Sequence, residues 1–227
     1  MKHITDIFFD LDHTLWDFDK NSEITYKIIF DELKIEVSLF KFLGAYTNIN
    51  KNLWKLFREE KIDKETLRYK RLKDTFTEIS VVVPDELLFI IADQYVYHLS
   101  KQTHLLDGTI KLLEYLKPKY TLHIITNGFA EVQEGKLNNT NLAAYFDVIV
   151  NSEMAGVKKP NPIIFETALG LANVSKATSL MIGDSLEADV FGALNFGIDA
   201  ICYNYHNENL PSHVKYVNHL EELMYIL

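Results

Sequence analysis

Two aspartates separated by a single residue follow a short apolar run near the start of the chain. Residues 4–9 read Ile-Thr-Asp-Ile-Phe-Phe, which is typical of a buried strand, and Asp10 and Asp12 come directly after it. In extended backbone, side chains two residues apart point the same way, about 6.6 Å from each other. Both carboxylates can therefore address one ligand from different sides.

A third carboxylate, Asp184, follows the apolar run that ends in Met-Ile-Gly, and Asp189 lies five residues further on. One aspartate at a strand end is usually a helix cap or part of a solvated turn. Several that converge repel one another, so such a site is tenable only with cations present. Mg²⁺ binds through a few carboxylates, waters and substrate phosphate, and this supply of oxygen ligands predicts a Mg²⁺ site.

Two further segments offer groups that can hold a phosphate. Thr126-Asn127-Gly128 places a hydroxyl and backbone amides at a strand end, where glycine permits close approach, although the same three residues also suit an ordinary turn. Lys159 precedes Pro160, whose fixed backbone stiffens the loop that presents the lysine. A lysine before proline is more often a surface residue, so this candidate depends on the rest of the set.

Alternating strands and helices must position these residues. Apolar strand-like runs at 122–126, 147–150, 180–184 and 198–203 are separated by helical patterns at 109–117, 130–142, 161–172 and 186–196, and a last helix begins near Leu220. This alternation predicts an α/β fold with a doubly wound parallel sheet, covered by helices on both faces. Ligands bind at the carboxyl ends of such strands, where Asp10, Thr126 and Asp184 lie.

An all-helical insertion interrupts this pattern. Between Lys20 and Gln102 the apolar residues recur at helical spacing, with helix-start signals at Asp63 and at Pro84, and only Ser80–Val83 resembles a strand. We therefore predict a catalytic core formed by residues 1–17 and 103–227, and a helical cap formed by residues 18–102.

Composition narrows the class of protein. The 227 residues carry a formal net charge of −9, which argues against binding of nucleic acid polymers. No apolar stretch approaches the roughly 20 residues needed to span a bilayer, so no membrane partner is expected. A lone cysteine, Cys202, and the lack of a signal-peptide pattern predict a cytoplasmic protein.

Four segments carry a resemblance to a known family: Asp10–Thr14 (Asp-Leu-Asp-His-Thr), Ile125–Gly128 (Ile-Thr-Asn-Gly), Lys158–Pro162 (Lys-Lys-Pro-Asn-Pro) and Gly183–Asp189 (Gly-Asp-Ser-Leu-Glu-Ala-Asp). In this order they resemble the motifs of the haloacid dehalogenase-like hydrolases, over essentially the whole chain and with a helical cap after the first motif. His13 is a departure, because family members often have Gly, Glu, Asp or Asn there.

The resemblance implies a Mg²⁺-dependent phosphatase that forms a phospho-aspartate. The implied roles are Asp10 as nucleophile and metal ligand, Asp12 as general acid and base with its carbonyl on the metal, Thr126, Asn127 and Lys159 as phosphate-binding residues, Asp184 as metal ligand, and Ser185 and Asp189 as outer partners. The substrate expected from this resemblance is a small phosphorylated metabolite.

A closer resemblance, to the pyrimidine 5′-nucleotidase branch, implies a nucleotide substrate. It is carried by the cap segment around Trp54 and Arg58, by Arg71, by Thr126–Phe129 and by the final strand. Trp54, Arg58 and Arg71 are the cap residues predicted to contact the base or ribose. The alternative is that Trp54 packs inside the cap and both arginines lie on solvated helix faces.

Other activities use much of the same chemistry. A dehalogenase also has an aspartate nucleophile, but it needs neither Asp12 nor Asp184, so these residues favour phosphoryl transfer. A sugar-phosphate phosphatase or a phosphomutase would use the same core residues. A non-catalytic regulator on this fold would be expected to lose Asp10 or Asp184, and both are present.

Overall fold

In the computed structural model, which describes residues 3–227, six parallel strands form one sheet in the order β3-β2-β1-β4-β5-β6. The strands are β1 (Asp6–Phe9), β2 (Thr121–Thr126), β3 (Val148–Asn151), β4 (Ser179–Gly183), β5 (Asp199–Tyr203) and β6 (Tyr216–Val217). The predicted doubly wound parallel sheet is confirmed. β6 was not predicted, because two residues are too short to show a periodic pattern.

The central strand, β1, is buried at every residue and pairs with β2 on one side and β4 on the other. Phe9 lies opposite Ile124 of β2 and Ile182 of β4, so the three strands run in register. Their carboxyl ends therefore meet at one edge, where the strand order reverses direction. The residues that follow Phe9, Ile124 and Ile182 are the ones that this register brings together.

The chain divides into two compact units. One consists of the residues up to Phe18 together with Thr103–Leu227, and it contains the sheet. Its main helices are α5 (Thr109–Leu116), α6 (Ala130–Asn139), α7 (Ser152–Ala155), α8 (Pro162–Ala172), α9 (Gly192–Phe196) and α10 (Leu223–Ile226). Below we call it the sheet unit.

The other unit, Asp19–Gln102, is the helical unit. It consists of four helices, the first of which begins at the junction: α1 (Phe18–Glu32), α2 (Leu39–Arg58), α3 (Lys64–Glu78) and α4 (Asp85–Leu99). Helix α3 begins after Asp63, whose carboxylate caps it by accepting a hydrogen bond from the Thr66 amide at 2.7 Å. The strand-like run Ser80–Val83 is irregular backbone, because no neighbouring strand pairs with it.

The segment 186–196 differs from the single helix that its pattern predicts. Leu186–Phe191 forms a π-helical turn, and a short α-helix, α9, continues from it. The carbonyl of Ser185 accepts the amides of both Asp189 and Val190, at 2.9 and 3.2 Å, which widens the turn by one residue. Such turns are common at functional sites, and this one contains Asp189.

Within residues 3–227, no helix combines the length and the apolar character that crossing a membrane requires.

Candidate active site

Asp10 lies just past the end of β1, and its carboxylate is held by a buried lysine. Lys159 Nζ donates to Asp10 Oδ1 at 2.8 Å and to the carbonyl of Ile125 at 2.6 Å. The side chains of Lys159 and Asp10 are 2% and 13% exposed. The lysine that the sequence left open as a surface residue therefore points inward, to the carboxylate after the central strand.

Asp189 lies on the other side of the same lysine. Its Oδ1 is 2.7 Å from Lys159 Nζ, and its Oδ2 accepts the amide of Ser185 at 3.0 Å. The position requires a glycine at residue 183, because a Cβ there would overlap the Asp189 carboxylate. Asp189 and the Ser185 amide thus lie next to Lys159, and their role as outer partners of the site stays a prediction.

Asp184 follows β4 and receives donors from two segments of the sheet unit. Thr14 Oγ1 donates to Asp184 Oδ1 at 3.4 Å, and His206 Nε2 lies 3.4 Å from Oδ2. His13 Nδ1 is 4.0 Å from the same oxygen. The backbone of His13 is in the left-handed region, with φ 58°.

Thr126 and Asn127 come together with the others, but their side chains differ in what they contact. Thr126 Oγ1 accepts from the Gly128 amide at 3.1 Å and from Gln133 Nε2 at 2.7 Å, which leaves its own proton to be donated. The Asn127 amide instead brackets the backbone of Lys159, accepting its N–H at 2.7 Å and donating to its carbonyl at 3.0 Å. The Asn127 side chain therefore holds the lysine segment, and a phosphate contact from the backbone of Asn127 stays a prediction.

Asp12 pairs with two residues that the sequence reading did not select. Lys136 Nζ donates to Asp12 Oδ1 at 2.6 Å, and Gln133 Nε2 donates to Asp12 Oδ2 at 3.0 Å. Both donors come from α6, three residues apart and so on one face of the helix. A signal for them existed in the sequence, since they interrupt the apolar stripe of Val132 and Leu137 right after the Thr-Asn-Gly motif.

Comparison of the sequence with known protein families identifies the family to which the chain belongs. The family model of the haloacid dehalogenase-like hydrolases matches residues 7–203, which is most of the chain. The chain belongs to this family. The resemblance stated from the four motifs is thereby confirmed.

Individual members of the haloacid dehalogenase-like family are similar over nearly full length. Pyrimidine 5′-nucleotidase PynA of Streptococcus pneumoniae is 35% identical over 204 residues, 88% of this chain and 84% of that protein. Pyrimidine 5′-nucleotidase YjjG of Escherichia coli is 32% identical over 206 residues, with coverage of 90% and 88%. The structure of HAD-hydrolase YfnB of Bacillus subtilis bound to magnesium superposes with a TM-score of 0.89 at 28% identity, covering 99% of both chains.

The charges of this hydrolase site do not cancel within the protein. Asp10, Asp184 and Asp189 face the single ammonium of Lys159, which leaves a formal charge of −2. Burial raises the pKa of Asp10 to about 7 against the opposing attraction of Lys159, and burial also raises the pKa of Asp189. For Asp184, burial is outweighed by the His206 hydrogen bond and the charges of His13, His206 and Lys159, so its pKa is lowered.

A divalent cation has the charge that this cluster lacks. Carboxylate oxygens of Asp10, Asp184 and Asp189 lie within 4.8 Å of one another, and such hard oxygen donors are the ligands that Mg²⁺ prefers. Both oxygens of Asp189 are already used, Oδ1 by Lys159 and Oδ2 by the Ser185 amide, so Asp10 and Asp184 are the carboxylates that best fit as ligands. The residues present therefore fit Mg²⁺.

The predicted cap residues lie in the helical unit, in three different environments. Arg71 is buried, not solvated: its guanidinium lies 4.4 Å from the centre of the Tyr95 ring. Trp54 is half-buried, with its ring 5.5 Å from that of Phe57, and Arg58 is also half-buried. Contacts within this unit thus account for the positions of Arg71 and Trp54, and their role toward a substrate stays a prediction.

Proposed function

We propose that the chain is a Mg²⁺-dependent phosphatase that hydrolyses pyrimidine nucleoside 5′-monophosphates through a phospho-aspartate on Asp10. The observation that carries the proposal is the buried contact between Lys159 Nζ and Asp10 Oδ1, at 2.8 Å, beside Asp184 and at the carboxyl end of the central strand. It fixes one oxygen of Asp10 and offers the other as a nucleophile.

In the first step, Asp10 attacks phosphorus, and the bond between phosphorus and the ester oxygen breaks as the new bond to Asp10 forms. Asp12 gives a proton to the departing alcohol oxygen. A carboxylate and a phosphate repel by about 4 kcal/mol per pair of unit charges at 4 Å and an effective dielectric constant of 20. The positive charge of Lys159 reduces this cost, and the Thr126 hydroxyl, which accepts from Gly128 and Gln133, can donate its proton to a phosphoryl oxygen.

In the second step, Asp12 takes a proton from water, and the water oxygen attacks phosphorus. The bond to Asp10 breaks, releasing inorganic phosphate and restoring the carboxylate. When bound by Asp10 and Asp184, Mg²⁺ would supply positive charge that offsets the acidic cluster and the phosphate. A relay of this kind needs Asp10, Asp12 and Lys159 close together, and Lys159 Nζ contacts Asp10 directly.

The substrate class is inferred from relatives and from the helical unit. Two relatives named as pyrimidine 5′-nucleotidases are 35% and 32% identical to this chain. We propose that the helical unit is the cap that selects the substrate, with Trp54, Arg58 and Arg71 as the candidate contacts to the nucleoside. A cap of this kind closes off water and confers specificity in enzymes that work by closure.

The nucleophile is tested with Asp10→Asn. We expect the variant to fold, to bind inorganic phosphate in the presence of Mg²⁺, and to release no phosphate from p-nitrophenyl phosphate, because an amide cannot form the acyl phosphate. The matched control is Asp31→Asn, which changes an exposed aspartate of α1. Turnover of Asp10→Asn near the wild-type rate in a clean preparation would exclude Asp10 as the nucleophile.

The substrate class is tested by phosphate release across a panel of pyrimidine and purine monophosphates, their deoxy forms and common sugar phosphates, with Mg²⁺ and with EDTA. We expect a preference for pyrimidine monophosphates and a complete loss of activity with EDTA. A flat profile or a preference for sugar phosphates would refute the nucleotidase assignment and leave the phosphatase assignment intact.

A further inference from the structure

The Asp12 carboxylate is held on both oxygens by residues of a single helix. Lys136 contacts Oδ1 at 2.6 Å and Gln133 contacts Oδ2 at 3.0 Å. The Asp12 side chain is 22% exposed and lies on the loop after β1, and these two contacts from α6 restrict its rotation. We call Lys136 and Gln133 the Asp12 clamp.

Burial of the Lys136 ammonium at this position is energetically unfavourable unless partners compensate for it. Its side chain is 2% exposed, and burial of an ammonium is unfavourable unless it is paired. Its partners are Asp12 and the face of Trp16, whose ring centre is 4.1 Å from Nζ. Trp16 belongs to the same loop as Asp12, and its amide donates to Leu11 O at 2.9 Å, so the loop holds the lysine on two sides.

Gln133 connects Asp12 to the candidate phosphate-binding hydroxyl. Its Nε2 donates to Asp12 Oδ2 and also to Thr126 Oγ1, at 2.7 Å. An amide nitrogen has two hydrogens, so it can make both contacts at once. The side chain passes directly over Gly128, where a Cβ would overlap it. The position of the carboxylate is therefore fixed relative to the group that would hold the phosphate.

We propose that Lys136 and Gln133 are positioning residues that hold Asp12 for the second chemical step, the hydrolysis of the phospho-enzyme. This inference rests on the proposed phosphatase function. Each Asp12 oxygen accepts one hydrogen bond from α6, which fixes the direction in which the side chain faces an attacking water. Each carboxylate oxygen has about two lone-pair sites, so one contact on each leaves a site for the attacking water.

The consequence is a defect confined to one step. When Asp12 is displaced, an aryl phosphate can still phosphorylate Asp10, because an aryl oxide leaves without a proton. The water that attacks phospho-Asp10 still needs the base. A displacement of about 1 Å from the reacting geometry can cost on the order of 10²-fold in rate. Loss of the clamp should therefore make the phospho-enzyme accumulate.

The test uses Lys136→Met in the full chain, with p-nitrophenyl phosphate and Mg²⁺, by rapid quench. We expect kcat to fall by about 10- to 100-fold, while kcat/KM, which reports the first step, stays within about threefold of wild type. Nitrophenolate should appear in a burst followed by a phase slower than wild type. Acid quenching should trap more phospho-Asp10, detected as a hydroxylamine-sensitive acyl phosphate.

Two further variants isolate the cause. Gln133→Met should give the same pattern with a smaller fall in kcat, because the charged contact of Lys136 remains. Lys119→Met is the matched control, since Lys119 is exposed and lies 3.4 Å from the Tyr115 ring without contacting the site, and it should leave all parameters unchanged. A burst also reports that the site is folded, since an unfolded site cannot phosphorylate Asp10.

The outcomes separate this inference from the proposed function. If the wild type is active and Asp10→Asn is inactive, but Lys136→Met has an unchanged kcat, the clamp has no role. A fall in kcat/KM equal to the fall in kcat, without phospho-enzyme, would also overturn the inference and indicate structural damage. Failure of the wild type to release phosphate from any phosphomonoester would instead overturn the proposed function.

Discussion

Two buried lysines of the sheet unit each hold one of the paired aspartates, and they do so in different ways. Lys159 has three oxygen acceptors, namely Asp10 Oδ1, Asp189 Oδ1 and the carbonyl of Ile125, at 2.6–2.8 Å. Lys136 has one carboxylate oxygen, from Asp12, and the face of Trp16. Both lysine side chains are 2% exposed.

The pKa values of the two lysines shift in opposite directions. Burial lowers the pKa of each lysine, but for Lys159 the attraction of Asp10 and Asp189 outweighs burial, so its pKa is raised. For Lys136 burial is the larger effect despite Asp12, and its pKa is lowered. A buried ammonium is thus secured by the number of its acceptors and not by its depth alone. Lys159 thus has two carboxylate partners, whereas Lys136 has a single carboxylate partner, Asp12.

The first prediction tests this difference between Lys159 and Lys136 by removing each lysine in turn. In the metal-free protein at pH 8, Lys159→Met should lower the free energy of unfolding by about 3–5 kcal/mol, because it leaves Asp10 and Asp189 buried without a cation. Lys136→Met should cost about 1 kcal/mol or less, since Asp12 is partly exposed and keeps the bond from Gln133. Urea unfolding followed by circular dichroism measures both.

Lys119→Met serves as the control for loss of a lysine that contacts an aromatic ring at the surface. Equal losses for Lys159→Met and Lys136→Met would show that the number of acceptors does not distinguish the two lysines.

The second prediction concerns Asp10, whose pKa is raised despite its contact with Lys159. In the folded protein without metal, burial raises the pKa of Asp10 to about 7 from an ordinary value of 3.8, against the attraction of Lys159. Between these pH values the folded state keeps a proton that the unfolded chain has released. Stability therefore falls as pH rises through this window, by at most about 1.4 kcal/mol per pH unit, and the loss is complete above pH 7.

Asp10→Asn removes this titration. We expect the metal-free variant to match wild type near pH 4 and to be more stable by about 2–4 kcal/mol at pH 8. Chemical unfolding at several pH values, with Asp31→Asn as control, measures the difference. A difference that is constant with pH would contradict the raised pKa of Asp10.

The difference between the Lys159 and Lys136 sites also shows which parts of the candidate site could be predicted from the sequence. Asp10, Thr126 and Asp184 each come directly at the end of an apolar strand, and the register of a parallel sheet brings strand ends together, so local pattern was sufficient. Lys159 could also be predicted, because it stands in the Lys-Lys-Pro-Asn-Pro motif. Lys136 was not predicted, because a lysine on a helix is usually solvated; its place beside the apolar Val132 and Leu137 was a weak signal, and the fold shows that this face of α6 is turned inward.

Other features depended on long-range contacts that no local pattern encodes. His206 lies 22 residues beyond Asp184 in an irregular loop, and only the fold brings its imidazole to that carboxylate. The π-helical turn is invisible to periodicity, because one inserted residue leaves the apolar pattern of 186–196 readable as a plain helix. In the helical unit, Arg71 was expected at a ligand or on a solvated face, but Tyr95 supplies an aromatic partner inside the unit.

The third prediction, with the smallest effect, uses two glycines that each make room for one of these clusters. Gly183→Ala would press against Asp189 from its Cβ outward, whereas Gly128→Ala would press only on the outer part of the Gln133 side chain. Asp189 is fixed by the π-helical turn, so we expect Gly183→Ala to cost about 1–3 kcal/mol of stability. Gln133 can rotate away, so Gly128→Ala should cost less stability but release Asp12, lowering kcat with p-nitrophenyl phosphate and leaving kcat/KM nearly unchanged.

Thermal unfolding and steady-state kinetics of the two variants, beside Gly44→Ala in open space on α2, would separate the effects. If Gly128→Ala proved the more destabilising of the two, Gln133 would be as rigidly held as Asp189, and the contrast between the two lysine sites would be lost.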